Sequence, residues 1–211
     1  MLLPHIRICF HRVLCHRFVS QRNVVHQAWP ALANEIQEGR RSLDILFLVT
    51  AHNTMSQKAY CFLSSLYQHR VMVELHSNDR LLERVRALKP HLIICPFLTR
   101  PIPSEIYNEF ITLIIHPGPV GDRGPHSVDR WVLERPKEWG ITILQAVEKL
   151  DAGPVWGEEK IDTTSHLSPT ATKSDAYNLL TSITMKAMKR MFNQILTGIN
   201  PAIEQPGKYS Y

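Results

Sequence analysis

Residues 111–125, ITLIIHPGPVGDRGP, hold the first side chains that could do chemistry. Thr112 to His116 form a run of apolar or β-branched residues that ends on a histidine. Such a run suits a strand covered on both faces. Beyond it stand Pro117, Gly118, Pro119, Gly121, Gly124 and Pro125, with Asp122 and Arg123 among them. That composition excludes helix and strand and predicts a shaped loop. Open parallel sheets bind ligands in the crevice outside the carboxyl ends of their strands. A histidine placed there is a candidate acid–base group, and the competing reading is a structural histidine beside an ordinary turn. Asp151 is the second candidate. It sits in LDAGP, residues 150–154, a tight turn between two strand-like runs, where a carboxylate can face His116. Aspartate also favours turns for local hydrogen-bonding reasons, so the turn alone is weak evidence. With His116 it would suit general acid–base work.

The elements that must position these groups alternate in type. Strands are predicted at residues 44–50, 71–75, 91–95 and 112–116, then at 140–147 and 155–161. Helices are predicted at about 55–69, 79–88, 103–109 and 126–135, and over about 174–197. This alternation implies βαβ units in a mostly parallel, Rossmann-like sheet flanked by helices, an α/β fold. The last two strands form a hairpin, which puts antiparallel strands on one edge. In the long final helix Tyr177, Leu180, Ile183, Ala187, Met191 and Ile195 give one apolar stripe, and Met185, Met188 and Met191 read as core packing. The first strand runs into AHNTMSQ, where a Rossmann fold would carry G-x-G-x-x-G, and no such fingerprint is present, so NAD is not expected. The polar turn could hold an anion at a helix N-terminus, or Asn53 could simply cap the helix.

The chain has 211 residues, enough for one domain with a real core. Its formal charge of +5 is concentrated near one end. Residues 1–34 carry Arg7, Arg12, Arg17 and Arg22 and no acid or lysine; setting those four aside leaves 20 basic against 19 acidic side chains. The globular part is near neutral, which gives no support for nucleic-acid binding. No apolar run approaches membrane-span length. Residues 1–40 form an N-terminal extension similar to a mitochondrial transit peptide, although arginines every five residues would scatter around a helix. The alternative is an extension with no targeting role, so the expected location is mitochondrial or cytoplasmic. Because periodic core sequence starts near Leu43, residues 1–40 are expected to be dispensable for folding. A domain over 41–198 and a short tail over 199–211 complete the organisation. Cys61 and Cys95 read as buried thiols. Cys9, His11, Cys15 and His16 have metal-ligand residue types without zinc-finger spacing, so no metal is expected.

Three stretches together resemble the folate-dependent formyltransferase family, which includes the methionyl-tRNA and glycinamide ribonucleotide enzymes. They are KPHLIICPFLTRPIP at 89–103, IIHPGPVGDRGP at 114–125 and GITILQAVEKLDAGPV at 140–155. The third matches the family's G-[IV]-T-[IV]-x-Q segment leading into D-x-G. The resemblance covers roughly residues 43–196. HPGPVGDRGP, EWGIT at 138–142 and LQAVEKLDAGPVW look closest to the hydrogenase-maturation branch, the N-terminal part of HypX/HoxX-like proteins.

The resemblance implies a formyltransferase N-terminal-domain fold, with 10-formyltetrahydrofolate as formyl donor and neither metal nor NAD. It makes His116 the acid–base group and Asp151 its carboxylate partner. Pro96, Phe97 and Leu98, with Gln145 and Leu150, would line the donor site; Asp122, Arg123 and Gly124 would shape the acceptor side. Both donor and acceptor would be small molecules, the acceptor being unidentified, with a CoA-type thiol suggested by the branch. In that branch an enoyl-CoA-hydratase-like part follows, so a missing domain or partner is expected, and CO production by this chain alone is not implied. One position departs: the core family has an oxyanion-donating Asn two residues before the histidine, and here Ile114 stands. The alternative function is therefore a non-catalytic folate- or partner-binding remnant of a larger HypX-like protein.

Overall fold

The protein is described by a computed structural model covering residues 32–36, 38–39, 42–66, 69–76, 79–166, 168, 170–196, 203 and 205. The candidate cluster Cys9, His11, Cys15 and His16 and most of the expected extension and tail lie outside the described residues.

Six strands form one sheet: β1 Asp44–Val49, β2 Arg70–Leu75, β3 Leu92–Pro96, β4 Thr112–His116, β5 Glu138–Gln145 and β6 Val155–Asp162, in the order β2-β1-β3-β4-β5-β6. The first four run parallel, and β5 and β6 are antiparallel to their neighbours. Among the described residues, helices α1 Thr54–Ser64, α2 Leu81–Leu88, α3 Ser104–Glu109, α4 Ser127–Glu134 and α5 Lys173–Leu196 connect or cover them, along with a short helical segment at 32–36. The expected α/β sheet and its antiparallel edge hairpin are both present.

The strand period of two sorts the core into two layers. Ile45, Phe47 and Val49 of β1, Leu92 and Ile94 of β3, and Leu113 and Ile115 of β4 pack with Ala59 and Leu63 of α1, Trp131 of α4 and the stripe of α5. Leu46, Leu48, Ile93 and Cys95 face the other way, onto Leu81 and Val85 of α2 and Ile106 of α3, with Ile114 against them. Both faces of the central strands are covered, which is why they read as continuous apolar runs.

α1 opens with a reciprocal cap in which Asn53 Oδ1 accepts the Ser56 N–H at 2.9 Å and Ser56 Oγ accepts the Asn53 N–H at 2.9 Å. Of the two expectations for that turn, capping is what the side chain does. The helix ends at Ser64, earlier than expected, and His69 instead turns its Nδ1 to accept the Leu43 N–H at 3.1 Å. Cys95 is buried, and burial pushes its thiol pKa up. Cys61 is exposed, contrary to expectation, because α1 directs Met55, Ser56, Ala59 and Leu63 inward and leaves Cys61 on the outer side. Among the described residues no helix is long and apolar enough to cross a membrane.

The packed unit begins before the expected boundary at residue 40. Ala33 and Ile36, in a helical segment at 32–36, are 0% and 5% exposed and belong to the larger core layer. Deleting residues 1–40 would therefore open the core. Ile36→Ala alone is expected to cost about 2 to 5 kcal/mol, the usual range for truncating a buried aliphatic. Urea unfolding of the variant checks this, and a midpoint equal to wild type would mean that the segment is held only by its backbone.

Candidate active site

The loop after β4 is fastened to β5. Cross-strand pairing sets His116 opposite Thr142. Thr142 Oγ1 donates to the Gly118 carbonyl at 2.9 Å, and Trp139 Nε1 donates to the Pro117 carbonyl at 3.0 Å. The loop then closes on itself through Asp122 N–H to Pro119 O at 2.9 Å. These bonds leave His116 3% exposed at the carboxyl end of the parallel strands.

Two carboxylates flank its ring. Nε2 lies 2.7 Å from Asp122 Oδ2, and Nδ1 lies 3.5 Å from Asp151 Oδ2. Asp151 is carried by the β5–β6 hairpin turn with φ +50, a left-handed conformation that aspartate tolerates better than most residues. Its Oδ2 accepts the Gly124 N–H at 3.0 Å, which ties the loop after β4 to the β5–β6 hairpin turn. Gln205 Nε2 donates to the carbonyls of Asp151, at 3.2 Å, and Gly153, at 2.7 Å, holding the turn from behind.

A cleft of about 310 Å³ opens in front of this pair. Phe97, Leu98, Ile102, Ile114 and Leu150 give it apolar walls, His116 and Asp151 supply polar groups, and Arg100 and Tyr177 also line it. This size and mixture are those of small-molecule sites. Of the residues singled out from the sequence, His116, Asp151, Phe97, Leu98, Leu150 and Gly124 all line this cleft. Pro96 ends β3, paired with Ile115, and Gln145 is buried with its Oε1 accepting Trp156 Nε1 at 3.3 Å; neither lines the cleft. Asp122 and Arg123 do not line it either. Arg123 is 2% exposed, and Asp122 turns back toward the histidine.

That turn of Asp122 was not anticipated. Its Oδ1 accepts from Arg130 Nη2 at 2.5 Å and Nε at 3.2 Å, and its Oδ2 also accepts from Ser127 Oγ. Ser127 and Arg130 are three residues apart on α4, a spacing that puts both on one helical side and could have signalled a shared partner. Tyr177 was also missed. It reads as the start of the α5 stripe but is 40% exposed, its ring 6.2 Å from that of Phe97.

Burial is the largest single influence on Asp122 and works against its charge, yet hydrogen bonds from His116, Ser127 and Arg130 together outweigh it and hold the pKa below the ordinary carboxylate value. A depressed folded-state pKa means that the unfolded state binds the proton more readily. The stabilisation is then fully present above the unfolded value of about 3.9 and is lost as pH falls through the lower folded value. The stability gap between wild type and Asp122→Asn should accordingly close below about pH 4. Urea unfolding at stepped pH measures it, and a pH-independent gap would show that the carboxylate charge is not what stabilises.

Comparison with known proteins adds the family. The formyl transferase family model matches residues 28–190. The chain belongs to the formyl transferase family. Among its relatives, the hydrogenase maturation factor HoxX of Bradyrhizobium diazoefficiens is 43% identical over 113 residues, 53% of this chain and 20% of that protein. HypX from Aquifex aeolicus, solved in complex with tetrahydrofolic acid, superposes with a TM-score of 0.71 at 35% identity over 81% of this chain and 29% of that one. Methionyl-tRNA formyltransferase from Clostridium thermocellum shares the fold, with a TM-score of 0.62 at 17% identity, over 80% of this chain and 70% of that one. The chain thus spans about a fifth of HoxX and under a third of HypX.

Proposed function

We propose that this domain binds 10-formyltetrahydrofolate in the cleft and transfers its formyl group to a small acceptor, with a CoA-type thiol the favoured class. The observation that carries the reading is the convergence of His116 and Asp151, 3.5 Å apart, at the floor of an otherwise largely apolar cleft in a formyl transferase fold. Apolar walls at Phe97, Leu98 and Leu150 suit the flat ring system of the donor, and HypX, a partial relative, was solved with tetrahydrofolic acid.

Formyl transfer passes through a tetrahedral oxyanion. His116, when protonated, would stabilise that charge, and Asp151, beside its Nδ1 edge, would pass the acceptor's proton onward. The donor supplies the one-carbon chemistry, and the chain supplies position. The direct test is release of tetrahydrofolate from the formylated donor, with and without CoA and amine acceptors. Turnover dependent on acceptor and on His116 supports the reading; absence of both turnover and donor binding rules it out.

A second reading rests on Ile114, which lines the cleft where the core family's oxyanion donor stands. Without a side-chain donor there, the domain would bind formylated folate without transferring its formyl group, as a folate- or partner-binding part of a larger HypX-like protein. Donor binding without turnover is the outcome that favours it.

A further inference from the structure

We propose that Asp122, anchored by Arg130 and Ser127, is the positioning residue of this site: it accepts the Nε2–H of His116 and so leaves Nδ1 as the acceptor edge, facing the side of Asp151. Three observations carry this. First, the Nε2–Oδ2 separation of 2.7 Å is that of a charge-assisted hydrogen bond, whereas Nδ1 stands 3.5 Å from Asp151, beyond one. The tighter carboxylate is therefore Asp122. Second, Asp122 is itself immobilised, since its other oxygen takes both Nη2 and Nε of Arg130, and Arg130 also donates to the Arg123 carbonyl at 2.7 Å. Third, the backbone makes room for it. A Cβ on Gly118 would stand 2.1 Å from Asp122 Oδ2, so only glycine at 118 leaves the carboxylate where it is.

Asp122 does not line the cleft, and so it acts through the histidine. The imidazole has two chemically distinct edges, and the bond made by one sets the proton on the other. With a carboxylate on Nε2, the neutral ring must carry its proton there. Nδ1 is then left as the acceptor edge beside Asp151, where a reacting group's proton can be taken up and returned. Ser127 Oγ, 3.3 Å from Nε2 and bonded to the same carboxylate, reinforces that arrangement.

Asp122→Asn inverts the polarity of the contact. The amide can donate to Nε2, and the proton then moves to Nδ1. The catalytic part of this proposal rests on the formyl-transfer reading; the tautomer does not. The experiment reads both, using nitrogen NMR of the imidazole-labelled protein at a pH where the ring is neutral, together with tetrahydrofolate release. Wild type should show His116 protonated at Nε2, and Asp122→Asn should show it at Nδ1. Turnover should fall by roughly 10²- to 10⁴-fold in kcat, with KM for the donor nearly unchanged. Arg130→Gln leaves both contacting residues in place and should lower kcat less, with the proton still on Nε2. A wild-type proton on Nδ1, or an unchanged tautomer and rate in Asp122→Asn, overturns the positioning role and leaves the formyl-transfer reading standing. A tautomer switch in a protein whose wild type shows no turnover does the reverse.

Discussion

His116→Ala is expected to abolish measurable formyl transfer while leaving donor binding largely in place. Removal of a positioned acid–base group typically costs about 10²- to 10⁴-fold. Asp122 keeps Ser127 and Arg130 as partners after the ring is gone, so its charge is not stranded. The informative companion is Ile114→Asn. On β4 it shares a side with His116, two residues on, and it lines the cleft. An amide there would restore an oxyanion donor, worth at most about 10²- to 10³-fold. Its cost, about 1 to 3 kcal/mol for a buried unmet amide, should sit at the lower end because the position is only partly buried. A rate gain in Ile114→Asn that vanishes in the double variant with His116→Ala would place the missing donor and the histidine in one step. Destabilisation without a rate gain, over a wild type that already turns over, would assign the oxyanion to backbone N–H groups of the glycine-rich loop.

Gly153→Ala should have the largest effect on stability. A Cβ there would lie 1.8 Å from the Gln145 carbonyl oxygen, a backbone atom that cannot swing aside. The two strands are closed at this point by Gln145 N–H to Pro154 O at 2.9 Å, and the Gly153 carbonyl is held by Gln205. Overpacking usually costs about 1 to 3 kcal/mol, and a clash between main chains falls at the top of that range or beyond. The turn that would have to move carries Asp151, so donor binding and turnover should fall together with the denaturation midpoint. Gly124→Ala is the control. Its Cβ meets nothing within 4 Å, and only its φ of +87 is unfavourable, so the loss should be no more than about 1 to 2 kcal/mol. Urea unfolding compares the two, and equal losses would show that the turn is softer than its geometry implies.

The fold was legible because its signals are local. DILFLV, LIICP and TLIIH announce buried strands by composition, and GITILQ followed by LDAGP announces a hairpin by its turn. His116 and Asp151 were legible for the same reason, each standing where an apolar run meets a turn. What stayed hidden depended on direction in space. Asp122 reads as a loop residue on the acceptor side until Arg130 and Ser127 are seen reaching it from α4 and its carboxylate is found against His116. Gln145 belongs to a motif but spends its side chain on Trp156. Tyr177 continues a helical stripe by spacing, yet it is 40% exposed and lines the cleft. Ala33 and Ile36 lie in a stretch whose composition says extension, and only packing shows that they belong to the core.

Phe97 has φ +48, a conformation that bulky residues adopt at a cost, while its ring walls the cleft and leans on Tyr177. The position therefore sets durability against usefulness. Glycine or asparagine would relax the backbone by roughly 1 to 2 kcal/mol and would be favoured in any screen for heat resistance alone. The same change would remove an aromatic wall from the cleft. Thermostable variants selected without a binding requirement would be expected to drift at Phe97 early, trading the cleft for melting temperature.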